Sequence, residues 1–178
     1  MSTSSTASWS TRAGIRAAAV LAGAATLIGA SASAAGASVR ADDRLPSFSA
    51  HITGYESGVV VYSTITGAGS ATYLGPVTTH GQITVSGPDE SECIGGFANT
   101  NVETFTTDQG DSLTITSNDV GCPTTPLGSF HGTGHWRVTG GTGRFRLAYG
   151  DGSAVGGADF VTGAFAMDLS GTLQVPST

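Results

Sequence analysis

The chain has 178 residues, enough for one domain of ordinary size, with 27 glycines and no lysine. Its seven arginines face 13 acidic residues, a balance that excludes a general binder of nucleic acid or of anionic membranes, because both need clustered cations. A hydrophobic share of 39% with runs of Val, Ile and Phe excludes disorder, and the glycines follow no Gly-X-Y period, which excludes collagen.

Residues 1–34 read as a secretory signal peptide. Arg12 and Arg16 form a positive start, 17–30 is an apolar stretch of small residues, and Ala32-Ser33-Ala34 offers an A-x-A cleavage site ahead of Ala35. The stretch falls short of the ~20 residues of a spanning helix. The arginines are not adjacent, so a twin-arginine route is not supported. Cleavage leaves 144 residues that keep five arginines and all 13 acids, a net charge of −8. No second apolar segment of spanning length follows, so the expected product is secreted, extracellular and without a membrane or nucleic-acid partner.

Residues 35–47 form a polar lead-in with Asp42, Asp43, Arg44 and Pro46, and 48–178 reads as a single domain of short strands and turns. In 48–55, Phe48, Ala50 and Ile52 share a face. Residues 59–66 are nearly all β-branched or small. A strand at 71–74 precedes Pro76, which should interrupt or bulge the ladder. In 77–86, Val77, Ile83 and Val85 lie opposite Thr78, His80, Gln82 and Thr84. The segment 87–96 is a charged turn region with Asp89, Glu90, Glu92 and Cys93. Strands at 99–107 and 112–118 form a hairpin through Asp108-Gln109-Gly110. Pro123 and Pro126 mark a loop. In 129–139, Phe130, Trp136 and Val138 oppose His131, Thr133, His135 and Arg137. Strands at 144–149, 152–160 and 161–175 complete the set.

No window carries a helical period. About eight strands at this spacing predict an all-β fold, an eight-stranded antiparallel barrel of calycin-like type, with a sandwich as the alternative. Glycines inside strands favour the barrel, because closure needs sharp local bends. The two cysteines, Cys93 and Cys122, read as a disulfide in an exported protein. Closing a loop of about 29 residues contributes roughly 3–4 kcal/mol by chain entropy.

Two motifs carry a family resemblance. Gly69-Ser70-Ala71-Thr72-Tyr73-Leu74-Gly75 and Thr139-Gly140-Gly141-Thr142-Gly143-Arg144-Phe145 resemble signatures of small exported actinobacterial proteins of the allene-oxide-cyclase-like group, related in shape to dirigent proteins. The resemblance spans about residues 48–175. It implies an eight-stranded barrel, a lumen for an apolar small molecule, trimers as in the plant relatives and, in some members, cofactor-free cyclisation. No residue matches the catalytic groups of the plant cyclases.

His131 and His135 on one strand lie about 13 Å apart at ~3.3 Å per residue, too far to share one ion. With His51 and His80 they read as solvent-facing, and no metal or organic cofactor is expected. No G-x-S-x-G elbow or Walker loop occurs. Most acids fall in turns: Asp89, Asp108, Asp111, Asp119 and Asp151. Glu103 is mid-strand and shares a face with Phe105; were that face inward, desolvation would raise its pKa and suit it to general acid work. The opposite face holds Val102 among threonines, so the orientation stays open. Glu56 and Asp168 rank behind it. Tyr55, Tyr62, Tyr73, Phe105 and Trp136 are the candidates to line a lumen, and whether that lumen is hollow or filled also stays open. The expected function is binding of an apolar small molecule in the barrel. The alternative is a cofactor-independent isomerase or cyclase acting on a polyketide-, lipid- or terpenoid-like substrate through Glu103, Tyr62, Tyr73 and Trp136. A third reading is a structural or inhibitory surface protein.

Overall fold

The computed structural model describes residues 45–59, 61–124 and 128–176. The expected leader and most of the lead-in lie outside the described residues. The elements are β1 (Ser47–Val59), β2 (Tyr62–Ala71), β3 (Gly75–Pro88), β4 (Phe97–Thr107), β5 (Ser112–Thr124), β6 (Ser129–Gly141), a 3-10 turn (Gly143–Phe145), β7 (Tyr149–Asp159) and β8 (Ala164–Gln174). Each strand pairs antiparallel with the next and β8 pairs with β1, which closes an eight-stranded barrel. Among the described residues no helix is long and apolar enough to cross a membrane.

Period-two alternation sets the inner wall. β1 turns Phe48, Ala50, Ile52 and Glu56 inward, and β8 turns Phe165, Met167 and Leu169 inward. Outside, His51 and Asp168 pair across β1 and β8 at 2.7 Å, both exposed. Strand direction then sorts the connections. The turns that follow β1, β3 and β7 gather at one end of the barrel, and those that follow β2, β4 and β6 gather at the other, with the start of β1 and the end of β8.

The second end is solid. Leu74, Val77, Phe105, Leu113, Phe145 and Leu173 are buried there. The rings of Phe48 and Trp136 meet edge to face at 5.2 Å, and the indole Nε1 donates to the Ser170 carbonyl at 3.2 Å. Large side chains from opposite walls fill a barrel of this strand number without leaving a channel.

Three local expectations are corrected. Residues 72–74 form the β2–β3 turn and not a strand, because Tyr73 (φ 68°) and Gly75 (φ 76°) are both left-handed. Pro76 does not disturb the ladder: it is the second residue of β3, opposite Ser70, where a missing N–H is tolerated, and the bulge lies between Val85 and Gly87. Residues 144–149 are not a strand up to Tyr149. A 3-10 turn drives Phe145 into the base while the Arg144 guanidinium lies over its ring at 4.8 Å. One glycine pair is required by packing. Gly152 and Gly171 face each other across β7 and β8, and a Cβ on either would collide with the partner strand's carbonyl oxygen.

Cys93 of the β3–β4 loop and Cys122 of β5 form a disulfide, with Cα atoms 5.9 Å apart. It ties that loop to the wall at the open end. Reducing it is expected to lower Tm by about 5–10 °C in thermal melts run with and without reductant. An unchanged Tm would show that the bond adds nothing to stability.

Candidate functional site

The half of the barrel away from the plug is hollow. Here inward positions hold small residues, among them Gly121, Gly132, Ala154, Gly156 and Ala158, where the plugged half holds rings. The result is a cavity of about 110 Å³, open at the end where β1 meets β2. Its apolar wall comes from Ile65, Ile83, Val85, Phe165 and Met167. Phe97, Phe130 and Phe160 form a chain of edge-to-face rings at its mouth, each pair 5.1 Å apart. Around the mouth stand exposed apolar side chains: Val59 at the end of β1 and Val61 after it, Ile94 (91% exposed) after β3, and Val161 after β7. A space of this size matches the ~150 Å³ apolar cavities that hold one benzene-sized molecule, well below the ~300–1,000 Å³ of drug-sized sites.

One strip of this wall is polar. β4 turns Phe97, Asn99, Asn101, Glu103, Phe105 and Thr107 inward, and beside it β5 turns Leu113, Ile115, Ser117 and Asp119 inward. Asn101 Nδ2 donates to Asp119 Oδ2 at 2.5 Å, and the Ser117 hydroxyl donates to the same oxygen at 2.8 Å. Asn101 Oδ1, Asp119 Oδ1 and both oxygens of Glu103 are buried without a hydrogen-bond partner. On the far side, the Ser63 hydroxyl donates to Glu56 Oε1 at 2.5 Å. Asn99, Asn101, Asp119, Glu56 and Ser63 line the cavity; Glu103 lies beneath it, its side chain and that of Ile65 flanking the space over Gly81.

Burial controls the charge of these acids. Desolvation pushes Glu103 up to about 8; the nearby Thr79 hydroxyl, whose own hydrogen bond goes to the Thr104 carbonyl, offsets only part of this, and the Asp119 carboxyl adds to it. Glu103 therefore stays largely protonated at neutral pH. Burial also raises Glu56 and Asp119, against the hydrogen bonds from Ser63 and Ser117 and, for Asp119, the nearby His135.

Of the sequence candidates, Glu56 lines the cavity, and Glu103, whose face is the inward one (1% exposed), lies just beneath it. The others do not line the cavity. Tyr62 (46% exposed) and Tyr73 (48% exposed) stand on the outer surface, the first because its neighbour Ser63 takes the inward position, the second because it caps a turn. Tyr55 also points out. Phe105 and Trp136 are inside, but as packed core below the cavity. Asp119, expected in a turn, continues the alternation of β5 as an inward residue, and Asp151 is an exposed strand residue of β7. Asn99 and Asn101 are not among the sequence candidates; for Asp119 the run Leu113, Ile115, Ser117, Asp119 carries the inward signal. His80, His131 and His135 face solvent, as their alternation requires. A second depression of about 300 Å³ lies on the outer wall, bounded by the exposed Asn118, His135, Arg137 and Asp151, with Trp136 at its floor.

A buried acid with a raised pKa carries no penalty below about 4.5, where folded and unfolded chains are both protonated. The penalty grows as pH rises to about 8, because the unfolded chain ionises first, and is constant above that. Glu103→Gln is therefore expected to stabilise the protein increasingly across this window, by a few kcal/mol at its upper end. Denaturant melts of both proteins from pH 4 to 9 check this; parallel stability curves would place Glu103 in contact with water. Compared with protein-family models, with curated proteins and with solved structures, the chain matches none.

Proposed function

We propose that this is an exported barrel that holds a small molecule with an apolar body in its open half. The observation that carries the reading is the uneven filling of the barrel: one end packed solid, the other left as an apolar cavity behind a row of three phenylalanines. A body of about one aromatic ring fits inside, and any longer tail leaves across the exposed Val59, Val61, Ile94 and Val161. The resemblance to allene-oxide-cyclase-like barrels supports the same use of the lumen. The disulfide and the leader-like residues 1–34 support a secreted, extracellular protein.

A second reading has one observation in its favour. Glu103 keeps a proton at neutral pH just beneath an apolar cavity, an arrangement suited to general acid catalysis in a cofactor-independent isomerisation or cyclisation. Tyr62 and Tyr73 take no part in it, being outside. Under this reading turnover falls as pH rises through about 8 and is lost in Glu103→Gln.

Titration with N-phenyl-1-naphthylamine, a neutral dye that brightens in apolar surroundings, tests the first reading. Saturable enhancement is expected, reduced at least about ten-fold in affinity by Ile83→Trp, which fills the cavity. No enhancement, or enhancement indifferent to that substitution, would overturn it.

A further inference from the structure

One amide faces the cavity with nothing to bond. We propose that the lumen takes an uncharged ligand whose ring-sized end carries a carboxamide-type edge, an acceptor beside an N–H, and that Asn99 reads that edge. This rests on the lumen-binding reading above and deepens it by naming the head group.

The chain has three asparagines. Two are engaged: the Asn101 amide donates to Asp119, and Asn118 Oδ1 accepts from the Thr100 hydroxyl on the outer wall. Asn99 lies between Phe97 and Asn101 on the inward face of β4, opposite Val85 of β3 and Asp119 of β5. It is 8% exposed and lines the cavity. Asp119 beside it takes its hydrogen bonds from Asn101 and Ser117, and the Asn99 amide has no partner among the described residues. Asn101 Oδ1 and Asp119 Oδ1 are sealed from any probe, whereas the Asn99 amide keeps contact with the open space. A polar group held against an apolar wall without a partner is unfavourable, and a ligand that supplies the partner recovers the loss.

The shape of the amide defines that partner. It is planar and presents one acceptor oxygen and two N–H donors. Its complement returns a donor and an acceptor in the same plane, so that two parallel hydrogen bonds form together, the geometry by which asparagine reads an adenine edge. A primary amide, a lactam and an amino-substituted nitrogen ring all carry such an edge. A ketone or ester answers the N–H alone, and an ammonium returns no acceptor. A plain hydrocarbon leaves the amide bare, and sites built around a polar group discriminate strongly against such ligands. Among the described residues no arginine or histidine lines the cavity, so a carboxylate head would be desolvated without a counter-ion. The space of about 110 Å³ admits one ring, which brings a head on that ring within reach of the wall.

Benzamide, acetophenone and benzoate share one ring and one planar carbonyl and differ in the group beside it. Displacement of the bound naphthylamine dye by each, read against the dye's affinity for the same variant, isolates the head. Asn99→Leu keeps the bulk and removes the amide. It is expected to weaken benzamide at least about ten-fold, for two lost hydrogen bonds, and acetophenone about three-fold, for one. Benzoate is expected to bind the unsubstituted protein most weakly of the three. In NMR spectra of nitrogen-labelled protein, the side-chain amide signals that vanish in Asn99→Leu are expected to shift when benzamide is added. Asn99→Ala repeats the comparison should the leucine variant fail to fold. Equal losses for benzamide and acetophenone, benzamide binding indifferent to the substitution, or benzoate bound as tightly as benzamide would overturn the proposal and leave the lumen reading in place. Failure of all three to displace a dye that still binds would overturn the head group alone; a dye that never binds would remove both.

Discussion

Closing β8 onto β1 removes both sheet edges and ties the inner radius to the strand number. At eight strands the interior holds about one layer of side chains meeting across the axis, so each level is solid or open according to what its inward positions carry. Phe48, Trp136, Phe105 and Phe145 make the base solid. Ala154, Gly156, Ala158 and Gly121 leave the other half open. One backbone geometry thus serves both as a folding core and as a container, and the two parts sit in series along the axis.

The inward face of β4 runs against this economy. Between Phe97 and Phe105 it places two asparagines and a glutamate where aliphatic residues would pack at lower cost. Asn101 and Ser117 satisfy one oxygen of Asp119 and leave the other bare, and Glu103 is left with no partner. A buried group without a partner costs about 1–3 kcal/mol, a large part of the stability of a domain this size. The plugged half has to supply that margin. Such local conflict between sequence pattern and burial concentrates where a protein meets its ligand or substrate.

The architecture was legible because most strands alternate between unlike faces. In 129–139, Phe130, Trp136 and Val138 against His131, His135 and Arg137 leave one choice of inward side. β4 was not legible in this way: Asn99, Asn101 and Glu103 are no more apolar than Thr100, Val102 and Thr104, and the closure of neighbouring strands decides between the two faces. The tyrosines misled for a related reason. A phenol suits an inner wall or an outer one, and only the register of β2 and the left-handed turn at Tyr73 put them outside. Asp119 was hidden by its position after Asn118, a pair that reads as a turn although β5 runs on to Thr124. The hollow itself has no local signature, because it is a sum of volumes contributed by strands far apart in sequence.

The facing glycines of β7 and β8 bring the two backbones too close for any side chain between them. A seam drawn this tight has no slack from which to widen the bore, since enlarging it would mean breaking ladder bonds on both flanks. The tube is therefore of fixed calibre. Fitting it to a different cargo would be a matter of trimming or growing the replaceable side chains of the upper wall, Ile83, Val85, Ala154 and Ala158, with the frame left untouched.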